Sequence, residues 1–352
     1  MSNIRKCQEK DLDNLFTIFG NVYQSNPNLQ RRDYFDWQFR DTPFSKRKEY
    51  TFLIFWEKDE IKGFLGYVPI EFRFNDEIRQ GCWTTLWHTA SQDTSGLKLL
   101  SRLMTDYDNR FLIGLTEQST SIYQMYQIPL LKAIPRWLAI INPERVIQLF
   151  NIVDKNDRQL IINGYELFRK NVDTFGIYQC ERFDPEEEFL LNEWTSIKGY
   201  CRRTGKYLNW RYIDIPRHNY QVIRGDNKQF AVYRIERIKD HSESVVRIVE
   251  WNFKYEWAQR ALAYIRQESD CRKAILFDFF CTANELGSEL SSLGFIQEAT
   301  LSTRIPYLFR PICHTDGISL AIDMPPHRVN RSIDFNEWYI TKGDSDIDRI
   351  KL

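Results

Sequence analysis

His88 closes a strand-like run, TTLWHTA. Its imidazole titrates near neutral pH, so it can take a proton from an ammonium group. Strand alternation puts Thr84, Leu86 and His88 on one face and Thr85, Trp87 and Thr89 on the other. Glu117, in GLTEQS, is a second candidate base, although a lone acid just beyond a strand also serves as the negative charge of a helix start. Two aromatic phrases carry a different chemistry. YFDWQFRDTP (34–43) and YLNWRYIDIP (207–216) place Phe39 and Tyr212 to stack on a sugar or base, and Arg211 to grip a phosphate. With Trp37 they form a candidate acceptor-binding set; a Trp between strand-like segments also commonly anchors a hairpin to the core. Cys82 has nothing near it in the sequence to lower a thiol pKa, so it is expected to be buried and inert.

These residues need elements to hold them. The two phrases align at an offset of 173, Tyr34 with Tyr207, Trp37 with Trp210, Phe39 with Tyr212 and Pro43 with Pro216. A repeat near half the chain length points to two related domains rather than a solenoid. A length of 352 residues suits two cores better than one. Hydrophobic residues make up 43% and aromatics 15%, enough for both cores. Lys+Arg and Asp+Glu balance at 48 each, which leaves no net field for nucleic acid. Seven scattered cysteines, none in a CxxC pair, argue against a zinc site or disulfide framework and for a reducing, cytoplasmic setting. No apolar run of 18 residues exists, so neither a signal peptide nor a membrane span is expected.

The pattern predicts a short strand near Ile4 and then a helix from Leu12, with Leu15, Phe16, Phe19 and Val22 at helical spacing and Asp11 as N-cap. A hairpin over 51–74, a strand over 81–90, a helix over 95–109, a strand over 111–117 and a helix stopped by Pro129 complete the first half. After a mixed segment at 140–195, the second half repeats the plan, with strands at 244–251 and 274–281 around the helix YEWAQRALAYIRQES. The tail WYITKGDSDIDRIKL carries Asp344, Asp346 and Asp348 at alternate positions. It lacks the twelfth-position Glu of a calcium loop and reads as a solvated tail or an acidic patch for a cationic amine. The expected class is α/β in the α+β layered sense, two mixed sheets flanked by helices. The expected division is 1–150, a connecting segment at 151–194, a second domain at 195–312 and an extension at 313–352.

This order, with a tight turn entering the helix after the fourth strand, resembles the GNAT superfamily of acyl-CoA N-acyltransferases, in tandem. LGF at 293–295 resembles the Gly-Phe that ends the last GNAT helix, and SIYQMYQIP resembles the corresponding Y-x-x-x-G-F, with Gln127 and Ile128 in place of Gly-Phe. The phrase YxxWxFxxxP and WYITKGDSD resemble bacterial acyltransferase-like proteins of surface-polysaccharide pathways. The resemblance implies acetyl-CoA as co-substrate, with no metal. It places the coenzyme diphosphate on a loop of pattern R/Q-x-x-G-x-G/A, matched here by Gln92-Asp93-Thr94-Ser95-Gly96-Leu97-Lys98 and preceded by Thr89 and Ala90. A glycine turn exposes backbone N–H groups, and the helix start adds partial positive charge. The second copy, WNFKYEWAQRALAY, has no glycine and bulky Phe253, Tyr255 and Trp257, so the first half is expected to bind acyl-CoA and the second to shape the acceptor pocket.

Acyl transfer to an amine requires a base for the amine, a donor to the thioester oxygen and a proton for the leaving thiolate. His88 is the expected base, Glu117 its alternative, and Tyr123 the acid by the resemblance; Tyr126 roughly shares its face. The expected acceptor is the amine of a nucleotide-linked amino sugar, with no nucleic acid involved. The alternatives are an aminoacyl-tRNA-dependent peptidoglycan transferase, which also uses two GNAT-like halves, and a non-catalytic binding protein.

Overall fold

A computed structural model describes residues 3–24, 26–45, 49–90, 94–170, 172–191, 194–226, 228–270, 273–310, 312–315, 317–324, 333–345 and 348. The first half runs β1 (Ile4–Lys6), α1 (Leu12–Val22), α2 (Arg32–Phe39), β2 (Phe52–Glu57), β3 (Glu60–Phe74), β4 (Glu77–Thr89), α3 (Ser95–Asp106), β5 (Arg110–Ile113), α4 (Glu117–Met125) and β6 (Leu130–Leu131). Leu12, Leu15 and Phe19 bury the apolar stripe of α1. Asp11 does not cap that helix; its carboxylate turns back to the Gln8 amide at 2.8 Å and to Arg5, closing a 3-10 turn. The repeated phrase is helical at α2 rather than a hairpin anchor. Lys58-Asp59 and Asn75-Asp76 both adopt left-handed backbone, the pair of conformations a two-residue hairpin turn requires. The second of these turns starts β4 four residues before the expected Gly81.

The chain continues through β7 (Arg136–Ile140), α5 (Pro143–Leu149), α6 (Lys155–Phe168), β8 (Tyr178–Gln179), β9 (Glu188–Phe189), β10 (Gly199–Cys201), β11 (Arg203–Thr204) and α7 (Gly205–Leu208). The second half follows as β12 (Gln221–Arg224), β13 (Phe230–Arg237), β14 (Ser244–Trp251), α8 (Tyr255–Asp270), β15 (Ala274–Phe280), α9 (Asn284–Ser292) and β16 (Ile296–Gln297). Short strands β17 (Leu308–Phe309), β18 (Ile312–Cys313), β19 (Leu320–Asp323) and β20 (Trp338–Tyr339) end it.

Two large mixed sheets result. One has the order β1-β2-β3-β4-β5-β19-β6, with β10 and β20 attached along the far end of β3; the other is β16-β7-β15-β14-β13-β12-β8. The two halves have exchanged a strand. β19, from residues past 312, lies antiparallel between β5 and β6 of the first sheet. β7, from before residue 150, lies antiparallel between β15 and β16 of the second. The sheets therefore do not follow the sequence division at 150 and 312. A buried ion pair pins each exchange: Arg110 Nε donates to Asp323 at 3.0 Å, and Arg136 Nε to Asp278 at 2.9 Å. Removing one member of such a pair strands a buried charge, at about 3–5 kcal/mol.

The repeated phrases meet at the centre. Trp37 Nε1 donates to the Trp210 carbonyl at 2.7 Å, and Trp210 Nε1 returns the bond to the Trp37 carbonyl at 3.0 Å. The rings stack with centroids 5.1 Å apart. Matched residues exchanging matched bonds mark a local pseudo-two-fold axis. The loop endings match as well. Gly294 and Gln127 both take left-handed backbone after their helices, and Phe295 and Ile128 both turn into the core.

Candidate active site

β4 and β5 pair in parallel only at Cys82–Arg110 and Trp83–Phe111, and then diverge. The wedge opens into a cleft of about 980 Å³, lined on one side by Thr84–Thr89 of β4 and Leu112–Gly114 beside it. A bulge shapes this wall: Leu65 opposes Trp87 but Tyr67 opposes Thr84, so β4 carries one extra residue. Alternation breaks there. Cys82 and Trp87 pack beneath α3 with Leu99 and Leu103, whereas Trp83 and Leu86 join the core under α1. The expected grouping of Thr84 with Leu86 and His88 is corrected accordingly, since the bulge moves Thr84 to the face of Trp87. The buried hydroxyls of Thr84 and Thr85 line the cleft, and that of Thr85 has no hydrogen-bond partner among the described residues.

α3 begins at the mouth of the wedge, and Gly96 and Leu97 of its first turn line the cleft. A Cβ built on Gly96 stands 3.5 Å from Thr89 Cγ2 and Trp87 Nε1, ordinary contact, so packing alone does not demand glycine here. Its bareness leaves room beside the first-turn amides, which lack intrahelical acceptors. An anionic diphosphate fits that cradle. Thr89 also lines the cleft; Ala90 and the N-cap Thr94 are exposed next to it, and Ser95 is buried. Gln92, expected at the first loop position, lies outside the described residues, as does Asp93.

His88 faces the cleft, half-buried, with its ring 5.4 Å from Phe64. Burial lowers its pKa, so the imidazole is neutral and ready to accept a proton at pH 7. Glu117 lines the same cleft as the exposed first residue of α4, whose N-cap is Thr116. Tyr123 does not line it. The ring is buried beneath the floor with Leu100 and Leu112, and its hydroxyl lies beside that of Thr84. Burial, reinforced by the Asp323 carboxylate, pushes its pKa up. Tyr126, expected on the same face, is exposed. Cys82 is buried with its pKa raised by burial, as an inert thiol should be. Tyr23 and Asn26, after α1, close another side of the cleft. No sequence pattern marked them.

The second half supplies a charged wall, Arg234, Glu236 and Arg247 from β13 and β14, with Arg310 and Lys342. The counterpart wedge in the second half, past the end of β14–β15 pairing at Ile248, is filled by the chain around Thr341. β14 and β15 stay paired from Ser244 to Ile248, and Phe253 is fully buried ahead of α8. Asp346 lies outside the described residues, and the described part of the polar tail, expected in solvent, runs against β14. Its Thr341 hydroxyl donates to the carbonyl of Val249, the bulged residue of that strand, at 2.7 Å. Arg203 joins Asp344 at 2.7 Å and Glu250 at 2.9 Å. The expected acceptor-binding set belongs to this interior. Arg211 grips the carbonyls of Gly343 and Ser345 at 2.9 and 2.8 Å rather than a phosphate. Tyr212 donates to Glu250 at 2.8 Å, Phe39 is fully buried against Phe35 and Phe52, and Trp37 makes the pseudo-symmetric pair. None of the four lines the cleft. Among the described residues no group of side chains is arranged to hold a metal, and no helix is long and apolar enough to cross a membrane.

No known family and no curated protein matches the sequence. Solved structures do match the fold. A GCN5-related N-acetyltransferase from Anabaena variabilis aligns with a TM-score of 0.53 and 12% identity, over 78% of this chain and 64% of its own. A probable N-acyltransferase from Enterococcus faecalis aligns with a TM-score of 0.51 and 12% identity, again over 78% of this chain and 64% of its own. The chain thus spans about two thirds of the length of either. At such identity the likeness is one of fold, and the fold is GNAT-like.

Proposed function

We propose that the protein is an acyl-CoA-dependent N-acyltransferase with its donor site in the first half. Acetyl-CoA is the proposed donor, and the amine of a nucleotide-linked amino sugar in surface-polysaccharide synthesis the proposed acceptor. The observation that carries the reading is the asymmetry of the two wedges. β4 and β5 part beside a helix start with a bare glycine, while the gap past the paired stretch of β14 and β15 is filled by the tail, which takes their bulge carbonyl. The amides of Gly96 and Leu97 would meet the diphosphate. The diverging strands leave room for an extended thioester arm, with the buried hydroxyls of Thr84 and Thr85 beside it. His88, neutral at pH 7, takes one proton from the acceptor ammonium; the freed amine attacks the thioester carbonyl, the C–S bond breaks, and the departing coenzyme A thiolate takes up the nitrogen's second proton by way of solvent in the cleft. Glu117 at the rim holds a cationic amine near His88. Tyr123 is assigned to packing beneath the floor.

The test is a thermal melt with acetyl-CoA, and separately with free coenzyme A, on wild type and Gly96→Val. A ligand that binds only the folded state raises Tm. Stabilisation by both compounds in wild type, reduced in Gly96→Val, supports the reading. Indifference of wild type to either compound refutes it and favours a non-catalytic binding protein.

A further inference from the structure

We infer that the cleft wall contributed by the second half is an oxyanion subsite for the acyl acceptor, with Lys342 and Arg310 as the groups that hold the anion. The inference rests on the reading that the first half receives the thioester donor. It adds that the acceptor amine carries a phosphate or carboxylate.

Lys342 is 5% exposed and lines the cleft. Its ammonium lies over the face of Phe280, Nζ 5.1 Å from the ring centre, a cation–π contact that supplies no hydrogen-bond acceptor. An ammonium has three N–H donors and no acceptor capacity, and burying it without acceptors is costly. The surrounding carboxylates are already engaged. Asp348 is clasped by Arg234 at 2.9 and 3.0 Å and accepts the Tyr220 hydroxyl at 2.8 Å. Asp278 is held by Arg136 and Arg247, and Glu236 by Arg234 and Arg247. Asp348 comes only to 4.0 Å of Lys342 Nζ, beyond hydrogen bonding. With Glu298 on Arg136 the cluster holds four cations and four carboxylates, but Lys342 donates a hydrogen bond to none of these carboxylates. Burial, with Arg247 adding repulsion, pulls the Lys342 pKa down to about 8.

An oxyanion entering from the cleft would supply the missing acceptors. Arg310 stands on the same wall, exposed, and forms no ion pair among the described residues. Its planar fork matches phosphate or carboxylate in a bidentate manner. Among the described residues Glu236 is the one carboxylate on this wall, and its attraction is spent on two arginines.

The probes are inorganic phosphate for binding, and D-glucosamine, D-glucosamine 6-phosphate and muramic acid for turnover with acetyl-CoA. Melts use the full chain at saturating coenzyme A, with phosphate exchanged for chloride at matched ionic strength. Phosphate is expected to raise the wild-type Tm and to lose that effect in Lys342→Met and Arg310→Met. Methionine keeps the length of the lysine stem and removes an unsatisfied charge, and Arg310 is at the surface, so both variants fold. In turnover, an anionic amine is expected to exceed glucosamine in kcat/KM by at least about tenfold, the scale of one charge-assisted bond. That ratio falls toward one in either variant. Which anionic amine wins distinguishes phosphate from carboxylate. A wild type indifferent to phosphate, or a phosphate effect of equal size in all three proteins, overturns the subsite. So does loss of the coenzyme A shift in both variants, which would move the two residues into the donor site. Failure of coenzyme A to stabilise wild type refutes the donor reading alone, and the phosphate melts, repeated without it, still decide the subsite.

Discussion

Replacing Gly96 by valine separates stability from donor affinity. The added Cβ meets Thr89 Cγ2 and Trp87 Nε1 at 3.5 Å, so nothing in the fold must move. Glycine inside a helix costs about 1 kcal/mol relative to alanine, and valine gives back roughly 0.5 of that. The unliganded Tm should stay within roughly 2 °C of wild type, at 2–4 °C per kcal/mol for a chain of this order. Donor affinity should move the other way. Branched methyl groups above the first-turn amides would push a diphosphate out of hydrogen-bonding range. One lost bond to a charged group is worth about 1.5–3 kcal/mol, or about tenfold to hundredfold in Kd. The assay is titration calorimetry with coenzyme A, paired with unliganded melts. Gly199 is the control, because a Cβ there would sit 2.4 Å from the Trp338 ring, and Gly199→Ala should destabilise by about 1–3 kcal/mol through overpacking. If Gly96→Val binds coenzyme A as wild type does, the cradle is not where we place it. If its Tm collapses, the glycine serves packing and the argument fails differently.

Three further outcomes follow from the geometry. The ratio of wild-type to His88→Gln kcat/KM, which cancels ionisation of the acceptor, should rise with pH as His88 loses its proton. Its midpoint should lie below 6.5, because burial favours the neutral ring, and a midpoint at or above 6.5 removes His88 as the base. Trp37→Phe and Trp210→Phe each strand one buried carbonyl, so urea unfolding should show similar losses of about 1–3 kcal/mol. Costs differing by more than about 1.5 kcal/mol would deny the equivalence. Tyr123→Phe removes a buried hydroxyl that lies off the cleft beside Thr84. Tm should hold or rise and kcat should stay within about threefold, whereas a tenfold fall in kcat at constant KM would restore the hydroxyl as proton donor.

Much of the element order was legible because it is local. Apolar spacing at Leu12, Leu15 and Phe19 makes a helix wherever the chain goes, and alternation from Cys82 to Thr89 makes a strand. The first-turn glycine of α3 and the inert Cys82 were likewise readable from neighbours in sequence. The β4 bulge was not. It follows from the register against β3, and one extra residue reverses which side chains share a face.

The repeated phrase shows where local reading stops. Its spacing declared a duplication, but not that Trp37 and Trp210 would bond to each other's backbone and bury Phe39, Arg211 and Tyr212 away from any ligand. Nor could pattern assign partners to β7 and β19. Each reads as a short apolar strand, and which sheet accepts it depends on buried partners, Asp278 and Arg110, more than 140 residues away. The acidic tail is the sharpest case. Asp344 and Asp348 read as solvated because carboxylates alone pay heavily for burial, yet Arg203 and Arg234 wait in the interior to receive them. Sequence thus determined which segments become helices and strands and that two similar units exist. Tertiary structure decided which wedge stays open and which is filled, because that choice rests on charge pairs and strand partners that only the folded chain brings within reach.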